Sequence, residues 1–265
     1  MSNHSAYRTF VDRLSKTKDS AREKSTKKRK SLGLRTAREN LDDLVDPGSF
    51  LEFGAFAVAA QRNRRDYEEL QLETSADGIL TGFCNINEDE VGEDNSHAAA
   101  IIYDYSVLAG SQGFFHHQKL DRICEKAEEF SLPVVIFTEG GGGRPGDTDV
   151  TTQIAGLHIP SFSTWARLTG KCLKIAVNNG YCFAGNAVLF GCSDFMIATK
   201  QSWIGMAGPA MIEGGGLGVY DPKEIGPAEE QYKNGVLDYL AEDEKEATFI
   251  AKKLLSYFQG NLSDW

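Results

Sequence analysis

Apolar residues recur along the chain in two rhythms. Val134 to Thr138 is an unbroken apolar or β-branched run, and Leu173 to Val177 is another. Both read as strands buried on two faces. Residues 78–86 and 98–107 alternate or run apolar and predict a strand pair, with the acidic, turn-rich stretch 87–95 as a hairpin excursion between them. Leu120, Ile123, Cys124, Ala127 and Phe130 stand at helical spacing behind an opening at Gly110-Ser111-Gln112-Gly113. Helices at 154–168, with Trp165 and Leu168 inward, and at 184–191 then alternate with strands at 172–177 and 194–199. Such alternation means βαβ units and a largely parallel core. Near the start, Thr36 and Glu39 fit a capping box ahead of Leu41, Leu44 and Val45, and Pro47-Gly48 stops that helix. A short strand is expected over 50–56, a charged surface loop or lid over 61–76, and a closing helix over 242–258.

The breaks in the pattern carry the chemistry. Four glycines, Gly140 to Gly143, follow the 134–138 strand directly, and Arg144-Pro145-Gly146 comes next. An ordinary turn needs fewer. Without Cβ atoms, backbone lies against a ligand or a second backbone and its N–H groups face outward. A second junction runs from the 173–177 strand through a turn at Asn178 to Gly180 into Cys182-Phe183-Ala184-Gly185-Asn186-Ala187, which opens a helix. Two strand-to-glycine junctions suggest a site built from backbone N–H donors at a helix start.

Composition narrows the alternatives. With 265 residues and 41% apolar content the chain can hold one large domain or two small ones. No apolar run approaches a membrane span, and the polar start gives no sign of a signal peptide. Five scattered cysteines (Cys84, Cys124, Cys172, Cys182, Cys192) argue against zinc and disulfides and read as small core residues in a reducing, cytoplasmic setting. Residues 1–35 hold eleven Lys/Arg against three Asp/Glu, so the remainder is more acidic than the net charge of −10. Residues 1–34 therefore read as a basic surface helix or partly ordered arm, and 35–265 as a single domain. An acidic body argues against nucleic acid, and trimming residues 1–30 is expected to harm assembly more than substrate binding.

Familiar catalytic motifs fail one by one. Gly141 to Gly146 satisfies GxGxxG, but no acidic residue ends a following strand and a proline sits inside it. There is no Walker loop and no GxSxG elbow. His116-His117 lacks nearby acidic ligands and reads as helix surface; Asp147 and Asp149 read as caps of the next helix; Trp203 and Phe195 read as core. What remains is backbone N–H chemistry, which suits an enolate oxygen.

Thr36-Ala37-Arg38-Glu39-Asn40, Leu44-Val45-Asp46-Pro47-Gly48-Ser49-Phe50, the GGGGRPGD loop and the CFAGNA block together resemble the amino-terminal half of the β-type subunit of biotin-dependent acyl-CoA carboxyltransferases, across about residues 28–258. GGGGRPGDTD and GPAMIEGGGLG resemble a branch in which the carboxyltransferase is fused to a biotin carboxylase. The resemblance implies an α/β, ClpP/crotonase-like spiral of repeated ββα units. It also implies that this half binds acyl-CoA, while a homologous carboxy-terminal half or an α subunit binds carboxybiotin delivered by a carrier, in an oligomer, with no metal. Gly185 and Asn186 match the glycine pair whose N–H groups face the thioester oxygen. Here the second glycine is Asn, whose side chain is expected to crowd the pocket. Gly141, Gly142, Gly143 and Arg144 match the loop that shapes the acyl pocket, and Ala109, Gly110 and Ser111 match the turn near the adenine end of coenzyme A. No second half, biotin-accepting lysine motif or zinc ribbon is present in these 265 residues. A fragment, a natural subunit needing a partner, and a relict half are all open, as are a malonyl-thioester decarboxylase subunit and a non-catalytic scaffold of the same fold.

Overall fold

A computed structural model of the protein describes residues 2–150 and 159–260. In chain order the elements are α1 (Ser2–Ser15), α2 (Glu23–Ser31), α3 (Ala37–Leu44), β1 (Leu51–Phe53), α4 (Tyr67–Glu73), β2 (Ile79–Asn85), the short α5 (Glu88–Val91) and α6 (Glu93–Ser96), and β3 (His97–Tyr103). Then come α7 (Phe114–Phe130), β4 (Val134–Phe137), α8 (Ser161–Arg167), β5 (Lys174–Phe183), α9 (Gly185–Gly191), β6 (Phe195–Gly205), α10 (Pro209–Gly214), α11 (Ala228–Lys233), β7 (Tyr239–Ala241) and α12 (Glu244–Ser256). The seven strands form one sheet in sequence order, antiparallel from β1 to β3 and parallel from β3 to β7.

Alternation along the strands builds two cores, because successive side chains point to opposite faces. Ala99, Ile101, Val134, Ile136 and Ala176 pack with Leu120, Ile123, Trp165 and Phe190 of α7, α8 and α9. Their neighbours Ala98, Ala100, Ile102, Val135, Phe137 and Val177 pack with Leu41 and Leu44 of α3 and Ala251 and Leu255 of α12. A sheet covered on both faces explains the continuous apolar runs.

Several local expectations needed correcting. Thr36 and Glu39 do form the capping box. The Asn178–Gly180 turn, however, is a bulge inside β5, where the register to β6 shifts and Asn178 Nδ2 donates to the Gly180 carbonyl at 2.9 Å. The 61–76 loop contains α4, capped by Asp66 and anchored by buried Leu70. The excursion at 87–95 is two helical turns. The 154–168 helix is seen from Ser161 onward, with Trp165 and Leu168 buried; residues 151–158 lie outside the described residues. His116 and His117 are buried, whereas Cys192 is exposed.

The basic amino-terminal segment forms α1 and α2, and specific arginines tie it down. Arg22 pairs with Asp104 at 2.6 Å. Arg29, the single buried member of the Lys27–Lys30 run, makes a two-pronged contact with Glu139, 2.8 Å on each prong.

Candidate functional site

The carboxyl ends of β3, β4, β5 and β6 carry the glycine junctions. After β3 the backbone turns left-handed at Leu108, Ala109 and Gly110, with φ of 47°, 57° and 62°. At non-glycine residues such conformations cost about 1 kcal/mol or more each, so they persist where surroundings enforce them. Here the enforcement is close docking onto the β4 loop. Gly141 N–H donates to the Ala109 carbonyl at 3.0 Å, Gln112 N–H to Gly142 at 2.7 Å, and Arg144 N–H to Gln112 at 3.0 Å. On its other side Gly140 N–H donates to Tyr181, and Phe183 N–H donates back to Gly140. A Cβ on Gly140 would land on the Gly110 carbonyl and the Asn186 amide.

Ala184, with φ 53° and ψ −120°, turns the chain from β5 into α9, and its own N–H is spent on the Gly205 carbonyl at 3.1 Å. The next two N–H groups, of Gly185 and Asn186, have no acceptor among the described residues. They belong to the first turn of a helix, where backbone donors have no intrahelical partner. Gly185 is half-buried, and Gly141 and Gly143 beside the junction are exposed.

The Asn186 side chain does not crowd this opening. It is fully buried and turned inward. Its Oδ1 accepts from Gly142 N–H at 3.0 Å, and its Nδ2 donates to the Thr138 carbonyl at 3.0 Å and toward Gly110 at 3.5 Å. One amide thus fastens the β3 turn, the β4 loop and the start of α9 together.

Arg144, expected to shape the acyl pocket, is also turned inward. It pairs with Asp77 and lies 3.6 Å from Asp147, while Nη2 donates to the Ser111 carbonyl at 2.6 Å and Nε to the Ser111 hydroxyl at 3.1 Å. Asp77, which the sequence did not mark, sits in a second left-handed turn and accepts the His116 N–H at 2.8 Å. Burial raises the Asp77 carboxyl against the pull of Arg144. Asp147 caps the preceding helix, not the following one, accepting the Phe114 N–H of α7 at 2.9 Å. Asp149 accepts from Arg62 and Asn63 N–H. Burial pushes His117 down to about 4, and His116 well below its ordinary value, so both are neutral at pH 7.

Beside Ala109 opens a cavity of about 780 Å³ over Tyr105, Tyr181 and Trp203, walled by α2. Trp203 is half-buried and lines this cavity, so it is not the core residue its sequence context suggested. Glu139 forms part of the floor; burial pushes its carboxyl up to about 7, and the Arg29 fork keeps it from rising further. Of the predicted residues, the fold gathers Ala109, Gly110, Gly141, Gly142, Gly185 and Asn186 into one junction, and assigns Arg144 and Ser111 to the scaffold behind it. Sequence reading missed Asp77, Arg29 and Glu139. The only signal for Arg29 lay inside a charge run whose neighbours are solvated. Among the described residues no cluster of three or more His, Cys, Asp or Glu could hold a metal.

A profile of the carboxyl transferase domain matches residues 28–264. The chain belongs to the carboxyl transferase family. It is 32% identical over 241 residues to the methylmalonyl-CoA carboxyltransferase 12S subunit of Propionibacterium freudenreichii, covering 90% of this chain and 43% of that one. Over 255 residues it is 29% identical to the biotin-dependent long chain acyl-coenzyme A carboxylase beta4 subunit of Mycobacterium tuberculosis, covering 96% and 45%. Among solved structures, a single-chain, multi-domain long-chain acyl-CoA carboxylase aligns with a TM-score of 0.92 and 50% identity, over 98% of this chain and 26% of that one. The transcarboxylase 12S structure with methylmalonyl-coenzyme A bound aligns with a TM-score of 0.80 and 28% identity, over 97% and 48%. These neighbours are carboxyltransferases of the crotonase-like fold, the class expected here. The chain spans less than half the length of the relatives it matches.

Proposed function

We propose that this chain is the acyl-CoA-binding half of a biotin-dependent carboxyltransferase. The observation that carries this reading is the pair of open N–H groups on Gly185 and Asn186, presented at a strained turn and flanked by exposed glycines. A thioester that loses its α-proton places negative charge on the carbonyl oxygen. Two fixed amides facing that oxygen stabilise the charge without a proton of their own and without reorganising. The Asn186 side chain ties them to the β4 loop by accepting the Gly142 N–H at 3.0 Å. Biotin, carried outside these residues, would supply the carboxyl group as co-substrate. The remainder of the site would come from a homologous carboxy-terminal half or partner subunit, in an oligomer. No helix among the described residues is long and apolar enough to cross a membrane.

A second reading has one specific support. The methylmalonyl-CoA decarboxylase subunit alpha of Veillonella parvula is 26% identical over 252 residues. Loss of CO₂ from such a thioester forms the same enolate, so the same amides would serve it.

Reconstitution with the missing half tests both. Carboxyl transfer from carboxybiotin to an acyl-CoA is expected, and Gly185→Val, which drives a side chain into Gln112 and Phe162, should lower the rate about a hundred- to thousand-fold. Absence of binding to any acyl-CoA by calorimetry in the reconstituted pair would remove the first reading. CO₂ release that leaves biotin uncarboxylated would favour decarboxylation without transfer.

A further inference from the structure

Helix α2 carries no apolar side chain, and Arg29 is its buried residue. Charge therefore holds it to the body. Arg22, just before the helix, reaches Asp104 and the Ser106 hydroxyl, each at 2.6 Å. Arg29 forks onto Glu139, donates from Nε to the Arg35 carbonyl at 3.0 Å, and lies 3.8 Å from Glu244 of α12. Glu139 is in turn the residue that leads into Gly140. Its carboxylate fills the place a side chain would take at Gly180, in the β5 bulge, and its carbonyl fills that place at Gly110. Any movement of Glu139 therefore moves the start of the glycine loop.

The cluster is unbalanced. Glu139, Glu244 and Asp104 bring three carboxylates against the two guanidiniums of Arg22 and Arg29. Tyr105 and Cys182 also face Glu139, and burial keeps both un-ionised near neutrality. Lys24, Lys28 and Lys223 line the cavity above Glu139 but are exposed to water. An excess negative charge held away from water is costly, and one bound proton removes it. We propose that Arg29, Glu139 and Glu244 form a proton-dependent latch through which α2 positions the glycine loop, closed when the cluster holds one proton and released when it holds none. Glu139 carries that proton. Burial pushes its carboxyl up to about 7, and α2 supplies part of that burial by walling the cavity. Docking of α2 thus takes up a proton. It is favoured below pH 7 and weakens as pH rises above it.

Trypsin cleavage of the 265-residue chain at Lys24, Lys27 and Lys28 reads the release of α2, each rate divided by that of a peptide of residues 19–35 at the same pH. The ratio should rise about tenfold from pH 6 to pH 8, the span set by one proton lost near pH 7. Glu139→Gln should flatten the rise. Glu244→Gln removes the excess charge, and its new amide can donate to Asn40 Oδ1, which is buried without a partner. That variant should stay at the pH 6 level through pH 8. Hydrogen exchange at the Gly141 N–H, bonded to the Ala109 carbonyl at 3.0 Å, should quicken with the same midpoint once corrected for its intrinsic rate. A ratio that does not change with pH, the same rise in Glu139→Gln, or release of α2 in Glu244→Gln overturns the latch. Release that leaves Gly141 protected overturns its hold on the glycine loop. No ligand is added, so these outcomes are separate from the fate of the acyl-CoA reading.

Discussion

Two glycine-rich stretches of this chain have nearly the same composition and opposite physics. Within Gly140–Gly143, Gly140 and Gly142 are glycines because something else occupies the space. Gly140 abuts the Gly110 carbonyl and Asn186, and Gly142, at φ 88°, would put a Cβ 2.8 Å from that of Ala184. Around Gly214–Gly218 the backbone is less hemmed in, with no neighbour nearer than 3.1 Å to an added Cβ. Gly214 and Gly216 have nothing within reach, and Met211, Leu217 and Val219 beside them are exposed. The first stretch is fastened from behind by Asn186 and Arg144; no side chain does this for the second among the described residues. Glycine content therefore marks a place where backbone is bare. The residues packed behind it decide whether that backbone is a rigid donor array.

Substitution breaks the comparison most sharply. Gly140→Ala should cost about 3 kcal/mol or more in urea unfolding, because backbone, not a flexible side chain, blocks the new methyl. Helix α7 carries two buried histidines. Below pH 6.5 the unfolded chain takes up a proton that native His117 refuses until about pH 4. Stability present above pH 6.5 is thus lost as pH falls toward 4, by roughly 3 kcal/mol from this residue, and His117→Gln should flatten the profile. Asn186→Ala should cost about 2 kcal/mol by leaving the buried Gly142 N–H without an acceptor. Gly214→Ala, at the open end of α10, should change stability by no more than about 0.5 kcal/mol, measured the same way.

The sequence made the sheet and most helices legible because strands buried on both faces write themselves as apolar runs. It also marked Gly185, Asn186 and the Gly140–Gly143 loop, since bare backbone after a strand is a compositional signal. Side-chain direction was not legible. Asn186 pointed inward because three carbonyl and amide groups of separate loops converge there, a tertiary fact. Asn178-Asn179-Gly180 carries turn chemistry, yet the pairing of β5 with β6 absorbs it as a bulge. His116, His117 and Lys119 lie on the buried side of α7, where Asp77, Ser161 and the Ala76 and Ile79 carbonyls meet them; hydrophobic periodicity cannot mark polar residues buried this way. Arg29 hid inside a run of exposed cations.

The central claim is that the Gly185 and Asn186 amides receive the thioester oxygen. Amide-resolved NMR during titration of the chain with propionyl-CoA, against the thioether analogue that lacks the carbonyl, tests it most directly. Downfield shifts of both amide protons with the thioester and not with the thioether are expected, as a new hydrogen bond to each would produce. Equal shifts with the two ligands, or bound thioester that leaves both amides unmoved, would contradict the account.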